Sequence, residues 1–253
     1  MAAKKKQEIV IKAPAALGAL EPWEQELAAE AKEVAAKETT FAPRISFKGG
    51  HLKVGGVEVK NNELSVIVVD GAYSKAFYEA AYDEDAPATP VCYAFGREEK
   101  DLKPHEQSPS PQAESCAVCP HNKFGSADRG KGKACKDERR LMCIPGDTAA
   151  DAVSKAEAVM AVIPPTSLKN WGNYVKTLAA VGRTPWSVVT KLTVEPLKSY
   201  FQILFEPQEK LDGPTYFAVK SHRAVVEGMM MAPYPTLEAG EKDEKPAKRS
   251  RKF

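Results

Sequence analysis

The chain has 253 residues, 43% of them apolar and 28% charged, with a formal net charge of +2. That apolar share supports a buried core and excludes a wholly disordered chain, while the charge balance excludes a uniformly polybasic or polyacidic protein. The longest apolar runs, such as Leu64 to Val69, are too short to span a bilayer, and the start MAAKKKQEIVIKAP turns polar too early for a secretory leader.

Residues 1–43 read as a tail and a helix. The segment EPWEQELAAEAKEVAAK, from Glu21 to Lys37, is rich in strong helix formers, with Pro22 suited to a first turn. Trp23, Leu27, Ala31 and Val34 recur at helical spacing and make a narrow apolar stripe that suits docking on the body or on another copy. From residue 44 to 90 the pattern changes to strands. Short β-rich runs are punctuated by Gly49-Gly50, Gly55-Gly56 and Asn61-Asn62, which predicts a meander of hairpins. Ala72 to Tyr82, carrying Tyr73, Phe77 and Tyr78, is expected as a helix or an aromatic-rich turn.

Residues 91–145 hold all five cysteines. Cys116 and Cys119 form a Cys-x-x-Cys pair, Cys135 follows after fifteen intervening residues, and Cys92 lies upstream. A two-residue gap lets one tight turn present two thiolates to one ion, and remote cysteines complete a tetrahedron. In a reducing compartment clustered cysteines are metal ligands more often than disulfides, and an odd number argues the same way. Cys92, Cys116, Cys119 and Cys135 are therefore the preferred ligand set, with His105 as the substitute. Zn2+ is the favoured ion, and an iron–sulfur cluster on the same thiolates is the less favoured alternative. Cys143, in the apolar run LMCIP, reads as a buried free thiol.

The stretch from Gly125 to Gly132 nearly spells a phosphate-binding loop. Gly132, however, stands where a Ser or Thr should hold Mg2+, and no apolar strand feeds the loop. What the stretch does offer is positive charge: Lys123, Arg129, Lys131, Lys133, Lys136, Arg139 and Arg140 fall within eighteen residues. Tyr93, Phe95 and Phe124 lie in the same module. Cations that track a phosphate backbone, beside rings on which bases stack, suit single-stranded nucleic acid. No Ser/His/Asp set or paired carboxylates stand out, so a non-enzymatic protein is expected.

Residues 146–235 read as the second half of the core. Ala158 to Ile163 is expected as a strand. A helix follows, with Thr166 or Ser167 as N-cap and Gly182 as stop, placing Leu168, Trp171, Val175 and Leu178 on one face. The runs from Ser187 and from Ser199 to Phe205 alternate as an antiparallel pair, and Pro214 to Met231 reads as a closing helix. Trp171, Trp186, Tyr200 and Phe201 are reserve stacking residues that fit the core better. Residues 236–253 form a mixed-charge tail expected to be disordered. The fold class expected is α+β: a β-rich OB-like barrel or sheet interrupted by a metal-binding cysteine module, with flanking helices.

The run CAVCPHNKFGSADRGKGKACKDERRL, preceded by PVCYAFG, resembles a phage-encoded cysteine-rich family whose members are mostly uncharacterised. In architecture the chain is also similar to zinc-containing single-stranded-DNA-binding proteins of phages, in which a metal subdomain interrupts an OB fold. The resemblance implies a protein of DNA replication or recombination in the cytoplasm of a bacterial host. Its partners would be single-stranded nucleic acid and replication or transcription proteins, with no membrane, and a homo-oligomer is compatible. Such proteins often end in an acidic tail with a terminal aromatic; here Phe253 is terminal but the last residues are basic. The alternative function is a zinc-ribbon-like transcription or host-takeover factor that binds an RNA polymerase.

Overall fold

The computed structural model describes residues 44–79, 89–128, 131–197 and 200–234, together with Trp23, Glu26, Leu27 and Glu30. The chain divides into two units, Met1–Ala42 and Pro43–Phe253. In the first, the four described residues are helical, as expected, and Trp23 and Leu27 are exposed. Ala31, Val34 and the tail from residue 236 lie outside the described residues.

The second unit is built on one nine-stranded sheet. Its strands are β1 (Arg44–Ser46), β2 (Lys53–Val54), β3 (Val57–Glu58), β4 (Glu63–Phe77), β5 (Cys92–Gly96), β6 (Lys136–Pro145), β7 (Val159–Ile163), β8 (Val188–Pro196) and β9 (Phe201–Lys210). The order is β3-β2-β1-β7-β6-β4-β8-β9, with β5 on β4. Among the described residues two α-helices accompany it, α1 (Leu168–Ala180) and α2 (Gly213–Met230). Gly49, Gly50, Gly55, Gly56, Asn61 and Asn62 all take positive φ, but the expected meander of hairpins stops at β3. Strand β1 pairs β2 and β2 pairs β3 antiparallel, whereas the Asn61-Asn62 turn leads into β4, which pairs with β5, β6 and β8 and not with β3. Asn62 holds its turn with its side chain, accepting from Leu52 N and donating to Gly50 O.

Strand β4 is the axis of the molecule. It pairs with β6 along most of its length, while its other edge is shared between β8 at residues 63–67 and β5 at residues 73–77. Its Val-Ile-Val-Val run is apolar on both sides because both faces are covered. Val66 and Val68 enter one cluster with Leu141, Leu192, Ile203 and Ile45. Ile67 and Val69 enter a second with Met142, Ile144, Val219, Val226 and Met230. Ile45 and Ile203 belong to strands far apart in the sheet order yet share one cluster, so the sheet is curled into a half-barrel. That curl is compatible with an OB-like fold. Helix α2 covers the outer face, and Trp171, Tyr174 and Leu178 of α1 pack on β8 and β9.

Several expectations are corrected here. Ala72 to Phe77 is neither helix nor turn but the second half of β4, because β5 and β6 offer hydrogen bonds on both edges. Tyr174, rather than Val175, is the deeply buried tyrosine-face contact of α1, its hydroxyl 2.6 Å from Thr190 Oγ1. Ser167 stands at the N-cap, but its hydroxyl accepts from Ile203 N and does not cap the helix. The strands expected after Ser187 and Ser199 do pair antiparallel, with β9 running on to Lys210. Among the described residues no helix is long and apolar enough to cross a membrane.

Candidate nucleic-acid interface and cysteine pocket

The cysteine-rich segment starts and ends on the sheet. Cys92 opens β5, Cys143 lies within β6, and only residues 97–128 and 131–135 form a cap of turns against β4, β5 and β6. The cap is tied along the outer edge of β5: His105 N donates to Tyr93 O, Ser110 N to Val91 O, and Ser108 Oγ accepts from Tyr93 N. These bonds satisfy a strand edge that would otherwise be free to pair with another chain. Beneath it Leu102 packs with Ala94 and Cys116. Gly96 permits this, since a Cβ there would meet Leu102 Cδ2 at 2.8 Å.

Cys92, Cys116, Cys119 and Cys135 are each buried and line one small pocket, with Lys75, Phe77, Gln112 and Asn122 around them. Burial raises the Cys92 thiol above its ordinary value. It pushes Cys116 up to about 11 and Cys135 up to about 12, with the neighbouring cysteines adding to both shifts and Lys75 opposing them. The four sulfurs are thus electrostatic neighbours. They are not drawn into a closed coordination shell: among the described residues, no group of three or more His, Cys, Asp or Glu that could hold a metal ion is formed. In chemistry the donor set fits a tetrahedral thiophilic ion, which would displace the thiol protons on binding. His105 is not among the pocket residues. It stacks on Tyr93 at 5.2 Å, and its Nδ1 accepts from Gln107 N. His121 stacks on Phe77 at 4.2 Å. Cys143 is fully buried in the aliphatic core, its pKa raised to about 12 by burial.

Three residues of this site were not among the expected site residues. Lys75 is only 3% exposed. Its ammonium donates to Asp137, to Glu99 Oε1 and to Asn122 Oδ1, the last two at 3.3 Å. Burial works against its charge, but Asp137 and Glu99 outweigh that and hold its pKa above the ordinary lysine value. Asp137 also accepts from Lys133 at 2.7 Å, and despite burial the two lysines lower its pKa. Asn122 closes the Cys-x-x-Cys turn, donating to Cys116 O at 2.7 Å. The sequence held no local signal for the Lys75–Asp137 pair, which only the register of β4 against β6 sets side by side.

The expected nucleic-acid contacts separate into two groups. Phe124 is 83% exposed, with Lys133 Nζ 5.2 Å from its ring centre. Lys123, next to Phe124 in the chain, Lys131, whose carbonyl accepts from Gly125 N, and Lys136, whose ammonium donates to Lys133 O at 2.9 Å, are exposed. Lys133 is mostly covered and already bonded to Asp137 and Asn122. Arg139 is half-buried, its guanidinium 3.5 Å over the Tyr73 ring. Arg129 lies outside the described residues. Arg140 and Tyr93 are corrections, being 1% and 2% exposed. Arg140 lies 3.4 Å over the Phe95 ring and donates to Met230 O and Ala232 O, so it caps α2 from inside the protein. Tyr93 and Phe95 pack against each other and against Tyr234. These three serve packing, because alternate residues of a strand face opposite ways and β6 turns Arg140 inward. Of the reserve rings, Trp171 and Phe201 are packed on the core, Trp186 lies under Arg223 at 4.1 Å, and Tyr200 is exposed.

No family model, curated protein or solved structure matches this chain.

Proposed function

We propose that the chain is a non-enzymatic single-stranded-DNA-binding protein acting in phage DNA replication or recombination, with a cap clamped by one zinc ion on Cys92, Cys116, Cys119 and Cys135. The observation that carries this reading is Phe124: the most exposed large apolar side chain among the described residues, it sits on the loop bounded by Cys119 and Cys135 and is flanked by Lys123 and Lys131. A bare ring held out into water between cations suits a base stacked above a tracked phosphate backbone. The zinc would supply only a structural crosslink, converting a Gly-, Ser- and Lys-rich loop without its own core into a fixed surface. Lys123, Lys131 and Lys136 are the phosphate contacts, while Lys133 positions Phe124 from its bridge to Asp137. The curled sheet supports the reading as a scaffold, although a fold does not by itself assign an activity.

The test is a fluorescence-anisotropy titration of oligonucleotides at several salt concentrations. Phe124→Ala should weaken single-strand binding by about tenfold to a hundredfold, the loss expected of one stacked base. Lys131→Ala should weaken it with a salt slope shallower by about one. Tight binding unaffected by both changes, or equal affinity for duplex, would remove the loop as the interface.

A further inference from the structure

The outer face of α2 is apolar where a solvated helix would carry charge. Val219, His222, Val226 and Met230 bury the inner face. On the opposite side Phe217, Ser221, Ala224, Val225, Gly228 and Met229 are all exposed, with Phe217 63% and Val225 66% accessible. These positions follow i, i+4, i+7, i+8, i+11 and i+12, one continuous stripe about 18 Å long. No charged side chain interrupts it. At Gly228, among the described residues, nothing lies within 4 Å of where a Cβ would be.

We infer that this stripe is a self-association surface, on which a second copy of the chain packs its own α2 antiparallel about a two-fold axis. The charges flanking the stripe argue for this occupant. Lys220 and Glu227 are exposed and stand seven residues apart on the same flank of the helix. In an antiparallel helix pair like flanks meet, so an axis beside Arg223 and Ala224 sets Lys220 against Glu227 of the partner subunit, and the reverse pair forms by symmetry. The same axis brings Phe217 beside Met229 of the partner subunit and leaves Ala224 and Gly228 where the helices approach most closely. A parallel pair would instead bring the charged flank against the opposite one, where Val225 and Met229 lie. Glu227 is already oriented by Arg97 at 2.9 Å, which Asp70 holds in turn, so its carboxylate is set before association. One helix pair buries little area, and the dimer is therefore of the weak, concentration-dependent class. It does not depend on the DNA-binding reading.

Sedimentation equilibrium of the full chain over a wide concentration range tests the surface, with circular dichroism confirming that each variant is folded. The wild-type chain should pass from monomer to dimer as concentration rises. Val225→Glu and, separately, Phe217→Glu should leave a folded monomer throughout. Lys220→Glu should weaken the dimer by about tenfold, because two like-charge contacts replace two ion pairs. Adding Glu227→Lys to that variant should restore most of the loss. A wild-type chain that stays monomeric would overturn the inference and leave the stripe to a partner of different sequence. A dimer indifferent to Val225→Glu and Phe217→Glu would overturn it by placing the interface elsewhere, and failure of the charge exchange to rescue would overturn the antiparallel arrangement.

Discussion

The two ends of β4 are held in different ways. At residues 66–69 the strand is enclosed by aliphatic side chains on both faces, which bury themselves without help. At residues 73–77 the apolar cluster shrinks to Ala94, Leu102 and Cys116 with Tyr73, and most of the cover is a loop, a buried ammonium and four thiols. Burial of apolar area stabilises the first end whatever the solution holds. The second depends on pairing buried polar groups and, in the proposed function, on an ion. One strand thus joins a self-sufficient core to a conditional surface.

The sharpest way to separate the ends is a matched pair of substitutions. Ile67→Ala should cost about 2–5 kcal/mol of global stability in denaturant melts, through the cavity it leaves. Cys116→Ser should abolish metal uptake and single-strand binding, and should free amides in residues 97–135 to exchange while those of 64–69 stay protected. Equal loss of protection at both ends would show one cooperative unit instead of two.

Lys75→Met probes the conditional end from within. Removing one partner of a buried ion pair should cost about 2–3 kcal/mol, the loss being limited because Lys133 still neutralises Asp137. A neutral result would mean the network does not hold the cap.

The opposite face of the same end titrates. Burial pushes Glu138 up to about 7, against the opposing charge of Arg140 and hydrogen bonds from Ser74 and Tyr234, with Asp137 adding to the rise. Between the ordinary value of 4.5 and about 7, the folded chain keeps a proton that the unfolded chain has released. Stability should therefore fall as pH rises through that window, by on the order of 1–3 kcal/mol, and level off above it. Glu138→Gln should flatten the profile; an unchanged slope would place the titration elsewhere.

The smallest effect belongs to the self-sufficient end. Asp212 caps α2 by accepting from Thr215 N at 2.8 Å, so Asp212→Ala should cost about 1 kcal/mol in thermal melts and leave DNA binding untouched.

What the sequence revealed follows the same division. The Val-Ile-Val-Val run, the glycine turns and the alternation after Ser187 are local signals, and each became the expected element, whereas the turn at Asn61-Asn62 leads away from β3 to a strand elsewhere in the sheet. Ala72 to Phe77 resembles a helix in composition, and only strands distant in sequence make it extended. By spacing the cysteines read as one ligand set, and the structure shows of this only that the four line one pocket. Cys143 was legible by its apolar neighbours as a buried thiol. Lys75 and Asp137 were not, because only the register of β4 against β6 sets them face to face. Arg140 was misread for the same reason. Within a run of cations nothing local says which will turn inward, and α2, ninety residues later, supplies the carbonyls that receive it.

The most direct test measures metal content and DNA binding on one preparation. Elemental analysis should find one zinc per chain, and stripping it with a chelator should abolish single-strand binding, which returns when zinc is restored. A metal-free chain that binds the oligonucleotide as tightly as the loaded one would contradict the account.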